Sequence, residues 1–385
     1  MKAIILAAGK GTRVRPITYS VPKPLIPVLD KPVMELLVNL LRKHGVRQVM
    51  VNTSYRASDI ESYFRDGSGF GLEIGYSFEG RLEEGRIIDE PVGSAGSIKR
   101  IQEHSGFFDQ PFAVLCGDAI VDIDLSALLE FHKNRNALVT IALAEVDREE
   151  VSSYGVVVKD DDGRISEFQE KPATEEAKST TVNTGIYIFD PRVIDSIPSG
   201  EPFDIGGQLF PELIAKGEGI YGVVLPFQWL DIGKVSDYHR VMEMAVSGQV
   251  NNLEVPGTEV AEDVRLGLNV KIDLSNCTIR GPVYIGSGST IEPGATIIGP
   301  TVLGRGCYIQ SGAHVERSVL FDYTFVSSYA RLNQAIVIDG FFMDSAGNAI
   351  EVSKADIAWL VSDSRALRKE LTWHQENIVQ MICDW

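Results

Sequence analysis

The chain has 385 residues, of which 44% are hydrophobic and 23% charged, a composition that excludes a largely disordered polymer and leaves room for roughly two or three domains. Subtracting 53 Asp and Glu from 36 Lys and Arg leaves a formal charge of −17, which opposes general nucleic-acid binding and obliges any phosphorylated ligand to find local positive charge. The early apolar run at 3–8 is too short for a membrane span or a signal-peptide core, and Cys116, Cys277, Cys307 and Cys383 form no Cys-x-x-Cys pair, so we expect a cytoplasmic protein with no membrane contact, disulfide framework or structural zinc.

From the first residue to about 248, strand-like runs at 2–7, 48–52, 112–116 and 138–144 alternate with helical spacing at 33–44, 57–64, 94–104 and 125–133. This alternation predicts βαβ crossovers in a mostly parallel sheet, a Rossmann-like α/β domain over 1–248. Strand-like runs at 154–158, 164–169 and 184–189, then a helix at 208–216, read as an insertion carrying substrate contacts. Gly248, two Asn residues and Pro256 mark 247–257 as a linker.

Beyond the linker the period changes. Ile279, Ile285, Ile291, Ile297, Leu303, Ile309 and Val315 stand six apart, with small residues two positions before most of them. A six-residue repeat places one aliphatic side chain inward per face of a left-handed parallel β-helix, here expected over 253–340. The tail at 341–385 reads as helical from Ser353, with Ile357, Leu360, Leu367 and Leu371 on one apolar face that caps the β-helix. Open ends and flat faces make a homo-oligomer the expected state.

The first strand runs into Ala7-Ala8-Gly9-Lys10-Gly11-Thr12-Arg13, whose small residues let backbone N–H groups approach phosphate oxygens. It is not a dinucleotide fingerprint, because Val14 stands where a third glycine is needed, and it lacks P-loop spacing. Pro16, Pro22, Pro24 and Pro27 delay the next helix, so Arg13 and Lys23 must supply charge. Asp118 follows an apolar strand and Asp231 ends the run 227–230; carboxylates at strand ends are candidate Mg²⁺ ligands, although an Asp there is otherwise a turn residue.

Leu6 to Arg13, with Pro22-Lys23-Pro24-Leu25-Ile26-Pro27, resembles the opening of the sugar-1-phosphate nucleotidylyltransferases. Gly93-Ser94-Ala95-Gly96, Gly117-Asp118, Tyr154-Gly155-Val156, Glu170-Lys171-Pro172, Asn183-Thr184-Gly185 and Trp229-Leu230-Asp231-Ile232-Gly233 follow in that family's order. The resemblance implies attack of a sugar-phosphate oxygen on the α-phosphorus of a nucleoside triphosphate. It implies nucleotide contacts at Leu6, Ala8, Gly9, Gly11, Thr12, Gly93, Ser94 and Asp118, with Arg13 and Lys23 as the catalytic cations. It further implies sugar-phosphate contacts at Gly155, Glu170, Lys171 and Asn183, and Mg²⁺ on Asp118 and Asp231. Within the family the chain looks most like a bacterial UDP-glucose pyrophosphorylase group that carries a β-helix, which favours UTP and glucose 1-phosphate. GTP with mannose 1-phosphate and dTTP with glucose 1-phosphate stay open, since base and hydroxyl choice depend on few contacts. A non-catalytic nucleotide-binding regulator is the reading from another class. An added acyltransferase activity would have to rest on His314, which reads as a plain surface histidine.

Overall fold

The computed structural model describes residues 1–83 and 86–366. By backbone contacts the chain divides into two units, one formed by 1–11, 21–26 and 32–231 and the other by 12–20, 27–31 and 232 onward.

The first unit is built on nine strands: β1 Lys2–Leu6, β2 Gln48–Thr53, β3 Glu73–Phe78, β4 Phe112–Cys116, β5 Val139–Glu145, β6 Gly155–Lys159, β7 Ile165–Glu170, β8 Thr181–Phe189 and β9 Ile220–Val224. Their order is β7-β6-β8-β4-β1-β2-β3, with β5 joined to β8 and β9. The block β4-β1-β2-β3 is parallel, and β8 enters it antiparallel to β4. Helices α1 Val33–Lys43, α2 Ala57–Phe64, α3 Ser94–Ser105 and α4 Leu125–Asn134 supply the crossovers. Alternation along each strand feeds two cores. Ala3, Ile5, Ala113 and Leu115 join Leu37, Val38 and Leu41 of α1, whereas Ile4 and Val114 join Ile98 and Ile101 of α3. The sheet topology brings the residues after β1, β2 and β4 to one edge, where parallel sheets bind ligands. Strand β3 and the hairpin Gly80–Glu83 with Arg86–Asp89 are elements that sequence reasoning did not identify.

The second unit holds the β-helix. Ile285 pairs in register with Leu303, Ile291 with Ile309, and Ile297 with Val315, so three six-residue steps close one coil of 18 residues. The expected inward residues from Ile285 to Val315 are all buried, while Ile279 is half-buried at the first coil. The six-residue rhythm then stops because the next coil is one residue shorter: Val315 pairs with Leu332 and Val319 with Ile336. Helix α5, Val235–Val246, groups with this unit, its His239 Nε2 donating to the Arg317 carbonyl at 2.8 Å and its Glu243 pairing with Arg317 at 2.9 Å.

The tail departs from expectation. Residues 353–360 form turns rather than a helix, and Val361–Asp363 is a strand antiparallel to Thr324–Val326. The physical reason is the free edge of the last coil: its backbone groups are satisfied by strand pairing, which a helical cap could not offer. Val361 is buried and Leu360 packs partly against the same core. Helical backbone begins only at 364–366, and the expected contacts of Leu367 and Leu371 lie outside the described residues.

His132, buried on α4, shares a 2.9 Å hydrogen bond between Nδ1 and Thr140 Oγ1 of β5. Burial pushes its pKa down from 6.5 to about 4, opposed by Asp190 and aided by Arg192 and Lys133. The unfolded chain therefore takes up a proton first, so stability is full above about pH 6.5 and declines towards pH 4, by up to ~1.4 kcal/mol per pH unit. Urea titrations between those limits should show a flatter decline for His132→Gln than for the parent chain.

Candidate active site

The loop at 7–11 leaves β1 at the carboxyl edge of the sheet, with Leu6, Ala8 and Gly11 half-buried and Gly9 exposed. It is fastened to the end of β4, where the Gly117 N–H donates to the Leu6 carbonyl at 2.9 Å. A Cβ at Gly117 would stand 2.9 Å from that oxygen, so only glycine lets the two turns lie this close. Lys23 follows in the short 3₁₀ turn Lys23–Leu25, stiffened by Pro22 and Pro24. Its side chain is buried, and Nζ lies 2.5 Å from Asp118 Oδ2. One turn thus carries the backbone donors, the next a desolvated ammonium, and the third a carboxylate that holds the ammonium in place.

Asp231 reaches the same place by another route. The strand Trp229–Asp231 pairs antiparallel with Ala119–Val121, opposing Asp231 to Ala119, the residue after Asp118. Both carboxylates act on the thiol of Cys116, whose pKa is pushed up first by burial and then by Asp118 and Asp231. Two hard oxygen donors at one end of a ribbon could hold Mg²⁺, with phosphate and water oxygens completing the shell; soft-metal ligation does not suit them. Among the described residues no third His, Cys, Asp or Glu joins them in a metal-holding group.

The residues expected to meet the sugar converge through register. Gly155 opposes Glu170 across β6 and β7, and Val156 opposes Val182, which places Asn183 at the neighbouring rung. Asn183 Nδ2 donates to Tyr187 Oη at 2.9 Å and its Oδ1 accepts from the Gly185 N–H at 2.9 Å, fixing the amide orientation. Tyr154 packs on Trp229 with ring centroids 4.9 Å apart, tying this strand pair to the one that carries Asp231. Lys171, in left-handed backbone with φ of 46°, is exposed and pairs with Glu170 Oε1 at 2.8 Å.

Gly93 precedes α3 with φ of 75°, and a Cβ there would stand 2.5 Å from the Phe203 carbonyl oxygen. Ser94 Oγ donates to Asp204 Oδ2 and accepts from the Ile205 N–H, both at 2.8 Å, so its hydroxyl is engaged with the segment 203–205. Thr12 and Arg13 open the 3₁₀ turn Thr12–Val14; both are exposed and group by contacts with the second unit. His314 lies on a β-helix ladder, half-buried, with Nε2 3.1 Å from Glu316 Oε2. Sequence reasoning missed Asp204 and three buried polar residues, Asn52, Glu79 and Ser97. A signal existed for one of them: Asn52 is a polar residue at the end of an apolar strand on the ligand edge.

The chain is similar to known proteins in both sequence and fold. The profile of the nucleotidyl transferase family matches residues 2–247, and that of the bacterial transferase hexapeptide (six repeats) matches 282–317. A UTP–glucose-1-phosphate uridylyltransferase from Synechocystis sp. is 52% identical over 365 residues, covering 95% of this chain and 94% of the relative. A mannose-1-phosphate guanylyltransferase from Mycobacterium tuberculosis is 32% identical over 76% of this chain and 77% of its own. Among solved structures, a UDP-glucose pyrophosphorylase complexed with UDP-glucose superposes with a TM-score of 0.54 at 24% identity, over 64% of this chain and 98% of that one, a likeness of fold. Because the family profile spans 2–247, well over half of its length, the chain belongs to the nucleotidyl transferase family.

Proposed function

We propose that the protein transfers a uridylyl group from UTP to glucose 1-phosphate, forming UDP-glucose and releasing pyrophosphate, with Mg²⁺ as its metal. The observation that carries the substrate choice is the 52% identity to the Synechocystis enzyme along nearly the whole of both chains. In the reaction a phosphate oxygen of the sugar forms a bond to the α-phosphorus, and the bond from that phosphorus to the bridging oxygen breaks, its electron pair leaving with pyrophosphate. Two unit charges at about 4 Å repel by roughly 4 kcal/mol at an effective dielectric near 20, and each reactant carries several. Alignment and charge neutralisation are therefore the main tasks.

Lys23 carries the first of these, since its ammonium is already desolvated and held by Asp118 beside the loop at 7–11. The N–H groups around Ala8, Gly9 and Gly11 take triphosphate oxygens, with Leu6, Thr12, Gly93, Ser94 and Asp118 completing the nucleotide contacts. Arg13 is assigned the departing phosphates, which suit its planar fork. Lys171 exchanges its pairing with Glu170 for the sugar phosphate, freeing that carboxylate, with Gly155 and Asn183, to meet sugar hydroxyls. Mg²⁺ bound by Asp118 and Asp231 supplies a further positive charge to the phosphates. A cytoplasmic setting belongs to the same reading; Cys116, Cys277 and Cys307 are free thiols, and among the described residues no helix is long and apolar enough to cross a membrane. So does self-association through the β-helix unit, where Leu268, Tyr329 and Trp359 are 79%, 78% and 62% exposed.

A panel of five nucleoside triphosphates against four sugar 1-phosphates, followed by pyrophosphate release, should give the highest kcat/KM with UTP and glucose 1-phosphate. A better result with GTP and mannose 1-phosphate would replace the substrates and keep the reaction. Steady-state kinetics on single variants should separate the roles. Asp118→Asn and Asp231→Asn lower kcat at least about a hundredfold. Lys23→Ala acts mainly on kcat, and Lys171→Ala mainly raises KM for the sugar phosphate. Light scattering should report a smaller mass for the triple variant Leu268→Glu, Tyr329→Glu, Trp359→Glu; an unchanged mass would move the interface elsewhere.

A further inference from the structure

Glu79 is a carboxylate in an unexpected place. It follows β3 directly, is 3% exposed, and belongs to none of the motifs that carry the family resemblance. Burying such a group is unfavourable unless donors surround it. Here they do. Asn52 Nδ2 donates to Glu79 Oε1 at 2.6 Å, Ser97 Oγ hydrogen-bonds the same oxygen, and the Val92 N–H lies 3.5 Å from Oε2. The Glu79 carbonyl accepts from Ser54 Oγ at 3.0 Å, which fixes its backbone as well.

Each partner passes the constraint outward. Asn52, 3% exposed at the end of β2, accepts from the Ala7 N–H through Oδ1 at 2.6 Å, so its Nδ2 must find acceptors. Glu79 Oε1 and Ser97 Oγ, the latter at 3.1 Å, are those acceptors. Ser97, 1% exposed in the first turn of α3, lies 2.8 Å from the Gly93 carbonyl. One buried carboxylate therefore connects the loop at 7–11 with the turn at 92–94. The first stretch follows β1, the first strand of the parallel block, and the second precedes α3, which leads into β4.

We infer that Glu79 is a positioning residue for the nucleotide half of the site, setting the loop after β1 through Asn52 and the start of α3 through Ser97 and Val92. The inference rests on the reading of 7–11 and 93–94 as nucleotide contacts. Glu79 meets no substrate. An apolar side chain of similar size would fill the space with less desolvation, but it would leave Asn52 Nδ2 only the longer bond to Ser97 Oγ and loosen the amide whose Oδ1 accepts from the Ala7 N–H. Gln keeps the shape and one acceptor oxygen, yet turns the other arm into a donor that faces the Val92 N–H.

The test uses the full chain and three readouts: KM for each substrate, the Kd of UTP by calorimetry, and the melting temperature. Glu79→Gln and Asn52→Ala should each raise KM and Kd for UTP at least about tenfold, leave KM for glucose 1-phosphate within about twofold, and keep the melting temperature within a few degrees. Glu79→Asp, which restores a carboxylate on a shorter arm, should recover part of the loss. A folded Glu79→Gln with unchanged UTP affinity overturns the inference, as does an equal rise in KM for both substrates. If Glu79→Gln does not fold, Asn52→Ala and Ser97→Ala decide by the same criteria. A parent chain that turns over another triphosphate is measured with that triphosphate, which corrects the substrate and leaves the positioning role to the variants. A parent chain that binds no triphosphate overturns both readings.

Discussion

The ammonium of Lys23 and the carboxylate of Asp118, 2.5 Å apart on adjoining turns, carry the constraint around which the first unit is arranged. A chain of net charge −17 that is to receive two polyanions has to place its cations where the surrounding field cannot dilute them. Burying a lysine meets that need only if a partner compensates the lost hydration, and the partner must not neutralise it so fully that no charge remains for phosphate. Asp118 is that partner, and in the function proposed above the same carboxylate would also share a metal with Asp231. The proline pair around Lys23, the glycine at 117 and the ribbon that brings Asp231 to Ala119 all act to keep this pair within reach.

The proposed sugar side is organised differently. Its residues are not gathered by turns at the ends of parallel strands but by register between antiparallel ones, so Gly155, Glu170 and Asn183 are neighbours because β6, β7 and β8 pair as they do. A one-residue slip in any of these pairings would invert the faces and disperse the group. The proposed nucleotide half depends on close backbone approach, and the proposed sugar half on strand alignment.

How much of this the sequence disclosed depended on whether the signal was local. The six-residue spacing from Ile279 to Val315 is a local regularity, and it places the inward residues of the β-helix correctly. Motif residues such as Lys23, Asp118 and Asp231 could be named because their neighbours are distinctive, and the structure brings them to one edge. Glu79 and Asp204 were silent because their partners, Asn52, Ser97 and Ser94, are distant in sequence and become adjacent only after the sheet forms. The tail misled for a related reason. The spacing of three between Ile357 and Leu360 suits a helix taken alone, but the edge at Thr324–Val326 offers hydrogen bonds that an isolated segment does not reveal. Tertiary demand outweighed local preference there.

The coil length of the β-helix has a consequence for how such a chain can change size over generations. Each circuit spends 18 residues, or 17 in the last turns, and stacks on its neighbour through the same three ladders. Gain or loss of a whole circuit returns every side chain to its own face, whereas gain or loss of a few residues inside a ladder rotates all that follow. Length in this region is therefore quantised. Smaller adjustments are confined to the corners between ladders, where the shorter circuit after Val315 shows that one residue can be dropped without turning the prism inside out.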